Sequence, residues 1–141
     1  MFLQLVHCVE IMHEKGVLHA DLKTLNIVRT GGQWKLIDLD AACEIGKENV
    51  GHKSSSAYIP PEAIHVDEAG GIACVRSTEA VQQREASYDP LIAHPSFDVW
   101  SLACILYQMC TVDVLPLLQG NQEDNLTDDV EKEDNLFALA K

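Results

Sequence analysis

Three common features are missing from this sequence, and each absence removes a class of protein. No two cysteines form a C-x-x-C pair, although five are present, at Cys8, Cys43, Cys74, Cys104 and Cys110. An odd number without that spacing argues against a disulfide framework or a zinc knuckle. Free thiols in a reducing compartment are expected instead, hence an intracellular, cytoplasmic location. No apolar run reaches the roughly 18 residues that a membrane span needs, so no membrane span is expected. The opening MFLQLVHCVEIMHE has no basic flank and is interrupted by Glu10 and Glu14, unlike a signal peptide. Positive charge is also scarce. Ten Lys and Arg against 22 Asp and Glu leave a formal charge of −12, which would repel nucleic-acid phosphates, so no nucleic-acid partner is expected.

What is present suits one globular core. The chain has 141 residues, of which 47% are hydrophobic, a normal size and composition for one domain. Phe2, Leu5, Val6, Val9 and Met12 recur at spacings of three and four, one face of a helix over Phe2 to Glu14, with Gly16 placed to stop it. Asn26-Ile27-Val28-Arg29 and Trp34-Lys35-Leu36-Ile37-Asp38 flank Thr30, Gly31 and Gly32, which predicts a hairpin. The double proline Pro60-Pro61 marks a boundary. Residues 63–96 hold no sustained period and read as an insertion. FDVWSLACILYQMC, from Phe97 to Cys110, carries apolar residues on nearly every side, which predicts a helix covered all round. Asp98 inside it must then be paired or hydrogen-bonded. Between Asn121 and Asp134 stand seven acids and one lysine, a solvated face or a docking site for a basic partner.

The chemistry-bearing stretch is Val17-Leu18-His19-Ala20-Asp21-Leu22-Lys23-Thr24-Leu25-Asn26. Asp38-Leu39-Asp40 follows twelve residues after Asn26, then Pro60-Pro61-Glu62 and Asp98-Val99-Trp100-Ser101-Leu102-Ala103. In that order these segments resemble the catalytic loop H-R-D-L-x-x-x-N, the D-F-G and A-P-E motifs and the D-x-W-S-x-G helix of eukaryotic-type protein kinases. The resemblance covers about residues 1–112 and implies an α+β, mainly α fold: part of a kinase C-terminal lobe with a catalytic-loop β-hairpin and a buried central helix. Within it, 63–96 are the insertion, and residues 113–141 are an acidic, incomplete C-terminal segment.

The resemblance also implies roles. Asp21 would accept the proton of a substrate hydroxyl, and Lys23 would reach the γ-phosphate as a point charge. Asn26 and Asp38 offer hard oxygen ligands for Mg²⁺ bridging the phosphates of ATP. Val28 would form part of the apolar floor under adenine. His19 is expected to be a packed structural histidine, and Asp98 to anchor the loop backbone from the buried helix. Glu62 is the A-P-E glutamate. Ser54, Ser55 and Ser56 occupy the activation-segment position, open to phosphorylation or simply polar loop residues. Lys23 after Asp-Leu favours the Ser/Thr branch, with a protein as substrate.

The pattern also breaks. Ala20 replaces the loop arginine that normally reads an activation-segment phosphate. Asp40 replaces the glycine of D-F-G, Leu39 its phenylalanine, and Ala103 the helix glycine. No Gly-rich phosphate loop, V-A-I-K lysine or partner glutamate occurs in these 141 residues, so an N-terminal lobe in cis is expected to supply them, and the isolated chain is expected to be inactive. A non-catalytic, pseudokinase-like interaction module is the alternative. A small-molecule phosphotransferase is a third reading, because Leu36-Ile37-Asp38-Leu39-Asp40 resembles its metal motif too.

Overall fold

The computed structural model describes residues 1–51, 55–66, 73–76, 82–83, 88–111 and 117–118. Ser54, the acidic run from Asn121 to Asp134 and most of 113–141 lie outside the described residues. Helix α1 spans Phe2–Glu14 and buries Leu5 and Val9, the centre of its predicted apolar face. It stops where Gly16 takes φ +74° and donates its N–H to the carbonyl of His13 (2.9 Å), a left-handed ending that glycine adopts without steric cost.

Strand β1 (Val17–Leu18) pairs antiparallel with β4 (Cys43–Glu44). Everything between them, the candidate catalytic loop and the hairpin, is thereby held at both ends. The hairpin is β2 (Ile27–Thr30) against β3 (Gln33–Leu36), with Thr30 opposite Gln33. Gly31 and Gly32 form its two-residue turn at φ +57° and +78°, as the twist of a tight hairpin demands. The strands are shorter than the sequence predicts. Asn26 ends a single 3₁₀ turn, Thr24–Asn26, and Asp38 lies beyond β3. Main-chain pairing still reaches Asn26, whose carbonyl accepts the N–H of Ile37, the residue before Asp38, at 3.0 Å.

The segment predicted to lack regular structure contains a second hairpin, β5 (Ile64–Val66) with β6 (Ala73–Val75). Arg76 donates from its main chain to Ala63 (2.7 Å), and His65 packs on the Tyr88 ring (4.8 Å between centroids). Further on, Asn49 bridges Ile92, and the N–H groups of Gly46 and Val50 bond Ala93 and Leu91 at 2.8 Å. These bonds pin the chain after β4 to the entry of helix α2, Ser96–Cys110.

Helix α2 corrects one expectation. Only one face is buried, through Phe97, Asp98, Ser101, Leu102, Cys104 and Ile105. Val99, Leu106, Tyr107 and Met109 are exposed, because the described elements pack against α2 from one side. That face joins Leu5, Leu18, Leu22 and Tyr58 in the core.

Candidate active site

After β1 the chain turns sharply at Ala20, whose φ of +63° is left-handed. For a residue with a Cβ this costs about 1 kcal/mol or more. The opposing interaction comes from α2. The Asp98 carboxylate is fully buried, and it accepts the N–H of His19 (2.9 Å) on Oδ2 and that of Ala20 (3.0 Å) on Oδ1. His13 Nε2, from α1, donates to the same Oδ2 at 2.8 Å. A buried carboxylate is tolerated when its oxygens are satisfied in this way. His19 faces the other side of the turn. Its Nδ1 accepts the N–H of Asp21 at 3.4 Å and its Nε2 donates to the carbonyl of Ile37 at 3.3 Å, which fits the tautomer with the proton on Nε2. The imidazole is wholly buried and couples the loop to the residue before Asp38.

With its backbone fixed, Asp21 sits in a polar cluster. Oδ1 accepts from Ser55 Oγ at 2.6 Å. Oδ2 accepts from Asn26 Nδ2 at 3.2 Å and lies 3.5 Å from Lys23 Nζ. Lys23 Nζ donates to Ser55 Oγ at 2.6 Å, so one hydroxyl accepts from the ammonium and donates to the carboxylate. Asn26 Nδ2 also donates to the Asp21 carbonyl at 2.8 Å. That commits the amide nitrogen and leaves Oδ1 as the atom suited to a cation.

Asp38 stands at the same end of the hairpin as Asn26, exposed and left-handed at φ +61°. Val28 is half-buried on β2, opposite Lys35. Among the described residues no group of three or more His, Cys, Asp or Glu could hold a metal. Two oxygen donors at one hairpin end nevertheless fit Mg²⁺, which takes one or two protein ligands and completes its shell with phosphate and water.

Other predicted residues fall elsewhere. Glu62 is exposed, and its Oε1 accepts from Ser96 Oγ at 3.4 Å. Ser55 and Ser56 are buried, at 6% and 5% exposure, so they are not the open loop serines that a modifying enzyme would meet. Ser55 is instead the residue that sequence reading placed in the wrong context: a member of the Asp21 cluster, 34 residues away along the chain. Tyr58 donates to Gln108 Oε1 (2.9 Å) and lies 3.3 Å from Thr24 Oγ1, while Ser101 Oγ donates to its carbonyl (2.8 Å).

The family model of the protein kinase domain matches residues 1–140. Over 114 residues the chain is 32% identical to "Serine/threonine-protein kinase mph1" of Schizosaccharomyces pombe, covering 75% of this chain and 14% of that protein. It is 33% identical over 110 residues to "Dual specificity protein kinase TTK" of Mus musculus, covering 74% and 11%. With mouse "Serine/threonine-protein kinase Nek11" the identity is 32% over 118 residues, covering 79% and 14%. The chain thus spans about a seventh or less of the length of these relatives.

Proposed function

The chain belongs to the protein kinase family, and from that premise we propose that it is part of the C-terminal lobe of an ATP-dependent protein serine/threonine kinase. In this reading residues 1–112 are lobe, 63–96 are an insertion and 113–141 are an acidic segment. The observation that carries it is the Asp21 cluster: a carboxylate, an ammonium and a hydroxyl within 3.5 Å of one another, on a backbone clamped by Asp98.

Bound Mg²⁺-ATP supplies the phosphoryl group and neutralises its charge. The chain's residues do the positioning. Asp21 orients the substrate hydroxyl and takes its proton as that oxygen bonds to the γ-phosphorus and the bond from phosphorus to the β-phosphate oxygen breaks, releasing ADP. Lys23 offers positive charge beside it. Asn26 Oδ1 and the Asp38 carboxylate would hold the cation, and Val28 would lie under the base. The relatives' names, all protein kinases, support a protein substrate over a small molecule. Free Cys8, Cys43, Cys104 and Cys110 support an intracellular location, and among the described residues no helix is long and apolar enough to cross a membrane.

The test is Asp21→Asn in the full-length protein. Phosphate transfer to protein should fall by about a hundredfold or more, while nucleotide binding, read by titration calorimetry, stays. Activity within a few-fold of the unaltered protein would remove Asp21 from the chemistry and favour a non-catalytic module.

A further inference from the structure

Among the described residues three buried side-chain nitrogens lack a hydrogen-bond partner: His65 Nε2, Arg76 Nε and Trp100 Nε1. A buried donor left unpaired is costly, so each calls for an explanation. The first two belong together. Arg76 donates from its main chain to the carbonyl of Ala63 (2.7 Å), which carries the β5–β6 pairing one residue further. In that register His65 stands opposite Cys74. Arg76, two residues on, is then its diagonal neighbour on the same face, at roughly 7 Å. One ring covers both, since the Tyr88 centroid lies 4.8 Å from that of His65 and 5.5 Å from the guanidinium carbon of Arg76.

Arg76 Nη1 is committed to the Asp89 carbonyl at 3.0 Å. That leaves Nε and Nη2, the side-on fork of the guanidinium, beside an imidazole nitrogen that donates when it carries the ring proton. None of the ion pairs among the described residues includes Arg76. The face of Tyr88 offsets part of this charge, but it accepts no hydrogen bond in the plane of the guanidinium. A water molecule there would satisfy one donor and leave the charge unanswered.

We infer that Arg76 and His65 form a binding site for a phosphate monoester. A phosphate brings about two negative charges and three acceptor oxygens, enough for the fork and the imidazole together. A carboxylate has two oxygens, which the fork alone fills. Both side chains are only half-buried, so a side-chain rotation opens their nitrogens to a ligand. The site shares no residue with the Asp21 cluster, and its failure would leave the transfer reading standing.

The test uses the full-length protein after phosphatase treatment, titrated calorimetrically with inorganic phosphate and with acetate, beside thermal melts. Phosphate should bind saturably and raise Tm, and acetate should do neither. Arg76→Lys keeps the charge and loses the fork, while His65→Phe keeps a ring on Tyr88 and loses the nitrogen. Each should weaken phosphate binding by about tenfold or more. Protein not exposed to phosphatase distinguishes the two sources of phosphate. If it melts higher and ignores added phosphate, a phosphate on the protein itself fills the site. If it responds like the treated protein, the ligand comes from outside. Acetate binding as well as phosphate, no saturable phosphate binding, or unchanged affinity in both variants overturns the site.

Discussion

Asp98 gathers three donors on one buried carboxylate, two from the loop backbone and one from His13. Replacing it with Ala leaves the N–H groups of His19 and Ala20 buried without an acceptor and removes the partner of His13. Breaking a buried pair from one side costs about 3 kcal/mol or more, and here the left-handed Ala20 would also lose what holds it. Asp98→Ala should therefore lower unfolding free energy by about that amount, measured by urea denaturation. A loss below about 1 kcal/mol would show that the clamp is dispensable. This residue was legible in the sequence, because a carboxylate within an apolar helix needs partners and the motif said which. Ser55 was not. Its hydroxyl reaches Asp21 only because the chain after β4 folds back across the loop, and a run of three serines looks the same whether it is exposed or buried.

The β2–β3 hairpin shows the same division among elements. Two short apolar runs around Thr30, Gly31 and Gly32 specified its existence, and the observed strand ends, Ile27–Thr30 and Gln33–Leu36, differ from the expected ones by one or two residues. A Cβ at Gly31 or Gly32 would touch nothing within 4 Å, so substitution there costs backbone conformation alone. Gly31→Ala and Gly32→Ala should each destabilise the protein by about 1 kcal/mol, while Gly31→Asn should cost much less, since asparagine tolerates positive φ at that turn position. Thermal melts of the three variants check the order. If the alanine variants equalled the unaltered protein, the left-handed turn would be wrong. The β5–β6 hairpin had no comparable signal. Its strands, of three residues each, are too short to establish a period.

Across the whole molecule the sequence indicated one core and free thiols, but it did not indicate which thiols are sealed in that core. Cys43 and Cys104 are buried at 6% and 3% exposure, whereas Cys8 is half-buried and Cys110 exposed. Burial pushes the Cys43 thiol from 9.0 up to about 11, helped by the negative charges of Glu48 and Asp98. Burial likewise pushes Cys104 from 9.0 to about 11. Two consequences follow from one cause. Between pH 7 and 9 the folded protein should take up iodoacetamide at Cys110 and more slowly at Cys8, while Cys43 and Cys104 react only after unfolding, because the thiolate is the nucleophile. The same shift ties stability to pH. Above about pH 9 the unfolded chain releases thiol protons that the folded chain retains until about 11. The contribution is therefore intact below pH 9 and lost as pH rises through the folded value. General charge repulsion also grows with pH, so the comparison is with Cys43→Ala and Cys104→Ala, whose stability should fall less steeply between pH 9 and 11. Parallel slopes in the three proteins, or labelling of Cys43 in the folded state at pH 8, would contradict the sealed core.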